Sequence, residues 1–153
     1  MQEEPILNAH NKAEHPPAHT AEHILNQTMV RKFGCSRSHI NHIERKKSKC
    51  SYLLPTCPTE EEIKDVEATV NSIIDADLPV STLYVSRDEL PESIDTSKLP
   101  EDASDTLRLV YIGKYDVCPC IGSHVERTSQ IGHFRISSTS YNDGVFRIVF
   151  RLG

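Results

Sequence analysis

Two pairs of potential metal ligands constrain this chain more than any other feature. His19 and His23 stand four residues apart in A-H-T-A-E-H-I-L, and nearly a hundred residues later Cys120 and His124 repeat that interval in D-V-C-P-C-I-G-S-H-V. On a helix, residues four apart lie on one face, so the first pair presents two imidazoles side by side. Imidazole nitrogen and thiolate sulfur are the donors Zn2+ prefers, and four of them complete its tetrahedron. If both pairs serve one ion, a helix near the N-terminus must pack against a segment far along the chain. Gly122 permits a tight turn between Cys120 and His124. We therefore expect one zinc ion per chain with His19, His23, Cys120 and His124 as ligands, and Cys118 as an alternative donor.

Glu22 precedes His23 and turns the helix sequence into H-x-x-E-H. In the inverted zinc metallopeptidases that signature supplies two zinc-binding histidines and a glutamate general base. A small zinc peptidase is thus one alternative, and it would need a third ligand, usually a downstream carboxylate. The plainer reading of Glu22 is an exposed helix carboxylate. Cys35, His39 and His42 form a further C-x3-H-x2-H cluster, followed by Cys50 and Cys57. In extended structure the odd separation of His39 and His42 places them on opposite faces, which counts against a second metal there. No phosphate-binding glycine loop and no GxSxG nucleophile occurs.

With 153 residues the chain suits one domain with a real core. We expect a flexible leader over 1–17 and a single domain over 18–153. No apolar run approaches the ~18 residues of a membrane span, which excludes a transmembrane helix. The start, M-Q-E-E-P, has neither the basic nor the apolar part of a signal peptide, so a cytoplasmic protein is expected. Five cysteines, an odd number without secretory context, point to free thiols and metal ligands. The net charge of −5 hides an uneven distribution. Residues 31–49 hold seven Lys or Arg against Glu44 alone, whereas residues 58–105 hold fourteen acids against three bases. The compact run Arg45, Lys46, Lys47 and Lys49 suits phosphates, the alternative being an ordinary soluble hairpin tip.

Local patterns order the elements. Ala21, Ile24, Leu25, Thr28 and Met29 follow helical spacing, with Gly34 as the stop. I-N-H-I and S-Y-L-L flank the basic run as a hairpin with a charged tip. Thr59 and Glu62 form a capping box ahead of a helix whose apolar face is Ile63, Val66, Val70, Ile73 and Ile74. Val80–Val85 is a short strand, 87–105 an acidic surface loop, and Leu107–Ile112 a strand leading into the cysteine motif. Phe134–Tyr141 and Val145–Leu152 flank Asn142-Asp143-Gly144, a strong hairpin signal, with apolar residues on one face and arginines on the other. The expected class is α+β, helices packed on one side of a mostly antiparallel sheet.

Three stretches, H-T-A-E-H-I-L, C-I-G-S-H-V and R-T-S-Q-I-G-H-F-R-I, together resemble the editing domain of alanyl-tRNA synthetase. Its free-standing relatives, the AlaX proteins, and the editing domain of threonyl-tRNA synthetase share the arrangement. In order and spacing the resemblance runs from residue 18 to the C-terminus. It implies a free-standing protein acting on tRNA in trans, since no aminoacylation domain fits in this length. It also implies that His19, His23, Cys120 and His124 are zinc ligands, and that the reaction is hydrolysis of the ester joining a wrong amino acid to tRNA. For the alanine branch that amino acid is serine or glycine on tRNA(Ala). Zinc can polarise the ester, deliver water or anchor the substrate's amino group. Glu22 is then the candidate catalytic residue, Thr20 the candidate substrate contact, and Arg45, Lys46, Lys47 and Lys49 the candidate tRNA-binding residues. The chain departs from the alanine branch in three places. Ile121 stands where the first of two glycines is common, Glu22 where small, hydroxyl or aliphatic residues are usual, and G-C-S-R-S-H-I-N-H lacks the expected glutamine. A non-catalytic, zinc-stabilised tRNA-binding module is the remaining alternative.

Overall fold

The first helix opens on two prolines. In the computed structural model, which describes residues 15–38, 40–43, 47–86, 106–120 and 124–153, α1 spans Pro16–Phe33. It therefore begins inside the stretch 1–17 expected to be a leader. A proline lacks only a donor that the first helical turn leaves unpaired anyway, and its fixed φ suits the helix. His15 caps the start from an extended conformation, its side chain accepting from the Ala18 N–H. Gly34 ends the helix at φ 67, where its N–H donates to the Val30 carbonyl.

Strands β1 (Ile40–His42) and β2 (Ser48–Leu53) form the expected hairpin. The residues Arg45 and Lys46 at its tip lie outside the described residues, as do His39, Ile121 and the loop expected over 87–105. The second helix, α2 (Glu60–Asp75), starts at the capping box. Glu62 N–H donates to Thr59 Oγ1 at 3.1 Å, and Thr59 N–H to Glu62 Oε1 at 2.8 Å. Its buried residues are Val66, Val70 and Ile74.

The chain continues through β3 (Val80–Ser86), β4 (Thr106–Ile112) and β5 (Asp116–Pro119), then β6 (Phe134–Asn142) and β7 (Val145–Leu152). Between β6 and β7, Asp143 and Gly144 take φ 48 and φ 79, the consecutive left-handed pair that a two-residue hairpin turn requires. The strands make two antiparallel sheets, not the one expected: β1-β2-β7-β6 and β3-β4-β5. The first unites two hairpins far apart in the chain through the β2 and β7 register, whereas the second is a meander of three consecutive strands. Local alternation fixes that strands form, but not which of them pair over long range.

Both helices pack on one side of the four-stranded sheet, which confirms the α+β class. Ala21, Ile24, Leu25 and Met29 of α1 and Val66, Val70 and Ile74 of α2 share one buried cluster with Cys50, Tyr52, Phe134, Phe146, Ile148 and Phe150. Removing each of these phenylalanines from water contributes roughly 1.5–3 kcal/mol. The R-T-S-Q-I-G stretch ties this core together. Thr128, opening a 3-10 turn (Thr128–Ile131), accepts from the Leu78 N–H at 2.8 Å and donates to the Ile73 carbonyl at 2.9 Å. Gly132 at φ 88 passes so close to the C-terminus that an added Cβ would lie 3.1 Å from the Gly153 carbonyl oxygen.

Candidate metal centre

Helix α1 differs from an ordinary surface helix because its polar residues are buried too. His19, Thr20, Glu22, His23, Asn26 and Thr28 are all buried alongside its apolar residues. A buried polar group needs a partner, and each of these side chains reaches one on another element, with His23 Nδ1 alone left without a hydrogen bond. Asn26 Oδ1 accepts from the Tyr52 hydroxyl at 2.7 Å, and Thr28 shares a 2.7 Å hydrogen bond with the Tyr115 hydroxyl. Gln27 and Arg31 each donate to the Tyr115 carbonyl at 2.8 Å, and the Arg31 guanidinium lies 4.3 Å from the Tyr115 ring centroid. These contacts fasten α1 against the turn between β4 and β5, which leads directly to Cys120.

The four expected ligands meet. The donor atoms of His19, His23, Cys120 and His124 all lie within 4.8 Å of one another. Cys120 Sγ is 3.3 Å from His19 Nε2, and His124 Nε2 is 3.0 Å from His23 Nε2. In a tetrahedral zinc site the edges between donors are about 3.3–3.6 Å, from bond lengths of about 2.0 Å to nitrogen and about 2.3 Å to sulfur. Displacements of a few tenths of an ångström (~0.3 Å) would thus bring these pairs to the spacing of a zinc site. Two backbone anchors hold the later pair. The Cys120 N–H donates to the Arg108 carbonyl at 3.0 Å while Arg108 Nε donates to the Cys120 carbonyl at 2.9 Å. Val125 N–H, just after His124, donates to Thr20 Oγ1 at 3.1 Å.

Electrostatics already favour the ligand forms. Burial alone would raise the Cys120 pKa, but hydrogen bonds from His124, His19 and His23 pull it down to about 2, so the group is a thiolate. Burial and the neighbouring His23 charge, opposed by Cys120, bring His124 down to about 4, leaving a neutral imidazole. Burial lowers His19 and His23, yet the Cys120 thiolate raises the first and Asp116 raises the second, and both end above the ordinary histidine value. An incoming metal must displace those protons, so affinity rises with pH.

Two residues not singled out from the sequence complete the centre. Asp116 Oδ2 lies 3.5 Å from His23 Nδ1, the one buried side-chain nitrogen or oxygen among the described residues with no hydrogen-bond partner. Arg37 donates to both oxygens of the same carboxylate, at 2.8 Å to Oδ1 and 3.2 Å to Oδ2. Burial alone would raise the Asp116 pKa, but His23 and Arg37 hold it below the usual carboxylate range. A carboxylate facing Nδ1 selects the tautomer whose Nε2 is free to bind metal. The signal available in the sequence was Asp116 itself, which opens the D-V-C-P-C motif. Nothing about Arg37 distinguishes it from the other bases of its region.

Glu22 is buried rather than exposed. Its Oε1 lies 3.9 Å from His19 Nε2, and its Oε2 accepts from Asn41 Nδ2 on β1. Thr20 is fully buried, and its hydroxyl also donates to the Pro16 carbonyl at 2.8 Å, so it clamps α1 to the residue after His124. Cys35 donates to the Met29 carbonyl at 3.6 Å and Cys50 is buried in the core. Among the described residues no second group of potential ligands assembles. Lys47 is exposed just before β2, and Lys49, on β2, is half-buried. No described helix is long and apolar enough to cross a membrane.

Residues 107–149 match the family described as the threonyl and alanyl tRNA synthetase second additional domain. Over 156 residues, 96% of the chain, it is 33% identical to the alanine-tRNA ligase of Halorubrum lacusprofundi. The corresponding enzyme of Caldicellulosiruptor saccharolyticus is 32% identical over 134 residues, 85% of the chain, and that of Methanococcus maripaludis is 25% identical over 154 residues, 96% of the chain. The chain spans only 15%, 15% and 17% of the lengths of these three ligases.

Proposed function

Because the chain belongs to the threonyl and alanyl tRNA synthetase second additional domain family, we propose that it hydrolyses the ester between a misattached amino acid and tRNA. It acts in trans, in the cytoplasm, at one zinc ion held by His19, His23, Cys120 and His124. The observation that carries this is the convergence within 4.8 Å of three imidazoles and a thiolate from two distant segments. Such a donor set fits zinc. When bound, the ion supplies Lewis acidity at the ester being attacked.

The chain's own residues supply the rest. Glu22 is the general base: it takes a proton from the attacking water at a carboxylate placed 3.9 Å from a ligand nitrogen, while Asn41 fixes its orientation. Asp116, held by Arg37, orients His23. Lys47 and Lys49, with Arg45 and Lys46, hold tRNA phosphates. Thr20 keeps α1 and His124 in register, and in this reading it meets the substrate only through that backbone. The amino acid released is serine or glycine from tRNA(Ala).

A specific observation favours one second reading. Four protein donors close a tetrahedron, the arrangement of structural zinc sites, so a zinc-stabilised tRNA-binding module also fits. The peptidase alternative is weaker, because Cys120 and His124 stand where it would need a carboxylate ligand. The deciding experiment adds the isolated chain to a panel of mischarged tRNAs, including Ser-tRNA(Ala) and Gly-tRNA(Ala). The proposal predicts release of amino acid from at least one of them, loss of that release on chelation and recovery on adding zinc. Retention of zinc with no release from any tRNA would leave the binding module as the account.

A further inference from the structure

The second face of the four-stranded sheet gathers basic side chains among neutral ones, although the chain carries a net charge of −5. No Asp or Glu occurs in β1, β2, β6 or β7. Their inner residues fill the core. Opposed residues share a face, so the register places Lys49, Arg147 and Arg151 together on the outer side: Lys49 faces Val149, Ser51 faces Arg147, and Arg135 faces Arg151. Arg135, Arg147 and Arg151 are exposed. Among the described residues none of the three, nor Lys49, has an ion-pair partner. His42, Lys49, Ser51 and Arg147 line a shallow hollow on this face.

One pairing runs against stability. Arg135 and Arg151 sit directly across from each other on neighbouring strands, and like charges in that position destabilise a sheet. A local choice that costs stability without a folding benefit marks a functional surface. The charge on this face is complementary to a polyanion, and no acidic side chain of its own strands neutralises it.

We infer that this outer face is where the sugar-phosphate backbone of the substrate RNA lies, with Arg135, Arg147, Arg151 and Lys49 contacting phosphates. The inference rests on the tRNA reading above and extends the contact from the hairpin tip to the whole sheet face. β1 joins the two regions. Its Asn41 holds Glu22 of the metal centre, whereas the adjacent His42 lines the basic hollow. A backbone lying across the sheet therefore passes within one strand of the centre.

The test uses uncharged tRNA as the probe, so it does not depend on hydrolysis. Fluorescence anisotropy over a range of salt compares the wild-type chain with Arg151→Gln, with the triple variant Arg135→Gln, Arg147→Gln and Arg151→Gln, and with Lys64→Gln on the acidic helix α2. Each lost phosphate contact should reduce the slope of log affinity against log salt by about 0.7–0.9, the range from single strands to duplex DNA, so the triple variant should lose about 2–3 units and bind at least about tenfold more weakly. Lys64→Gln should leave the slope as it was. The melting temperature of Arg151→Gln should be unchanged or raised, because a like-charge pair is relieved. Wild-type affinity and slope in the triple variant, or an unchanged slope in a well-folded Arg151→Gln, would overturn the inference. So would a wild-type chain whose binding to tRNA does not depend on salt. Failure of every deacylation assay with these binding results intact would instead overturn the hydrolase reading alone.

Discussion

The two helices are built by different rules. α2 is amphipathic: one apolar stripe is buried, its acidic first turn is exposed, and a capping box starts it. α1 is buried over the run Ala18–Asn26 without interruption, and its polar residues reach partners on β1, β2, β5 and the segment after Cys120. Burying polar groups costs stability unless every one is matched. α2 therefore holds the fold together by area, while α1 gives part of its surface to the candidate metal centre. Substitutions in α1 should change metal content and activity, and those in α2 should change stability alone.

The largest effect expected is from Cys120→Ala. It removes the thiolate around which the imidazoles gather, so elemental analysis should find no zinc, deacylation should vanish and melting temperature should fall toward that of the chelated wild type. Two equivalents of zinc persisting in that variant would relocate the centre. Next comes Glu22→Gln, which should lower the deacylation rate by about 100-fold or more while leaving zinc in place. An unchanged rate would remove the general base from the mechanism.

Asp116→Asn tests how far α1 depends on its supports. Zinc affinity should fall by about 10–100-fold, measured by competition with a chromogenic chelator. The pH dependence has a definite sign. The folded-state pKa of Asp116 lies below its unfolded value, so its contribution to stability is complete above about pH 4 and is lost as pH falls through the folded value. Thermal unfolding followed down the acid range should lose that dependence in the variant. The smallest effect belongs to α2: Thr59→Ala should cost about 1 kcal/mol of stability in denaturant titration, with zinc content and deacylation unaltered. A loss of zinc there would erase the distinction between the helices.

What was legible in the sequence follows the same division. The capping box of α2, the Asp143-Gly144 turn and the Gly34 stop are written in local spacing and sit where that spacing places them, and the same spacing picked out the four candidate ligands, whose donor atoms meet. The separate three-stranded sheet was not legible, because pairing partners are chosen by contacts distant in sequence. Nor was the burial of Glu22, whose partner Asn41 lies on β1. Arg37 and Asp116 are separated by seventy-nine positions and carry no spacing signal. Their relation exists only once α1 has packed against the turn before β5.

The central claim is that α1 and the Cys120–His124 segment enclose one metal ion with a thiolate ligand. Cobalt substitution measures this directly, since Co2+ bound to thiolate shows a sulfur-to-metal charge-transfer band and tetrahedral Co2+ shows intense visible bands. The account predicts both at one equivalent per chain in the wild type, and loss of the charge-transfer band in Cys120→Ser. A weak, octahedral spectrum without a thiolate band, or a band that survives in Cys120→Ser, would contradict it.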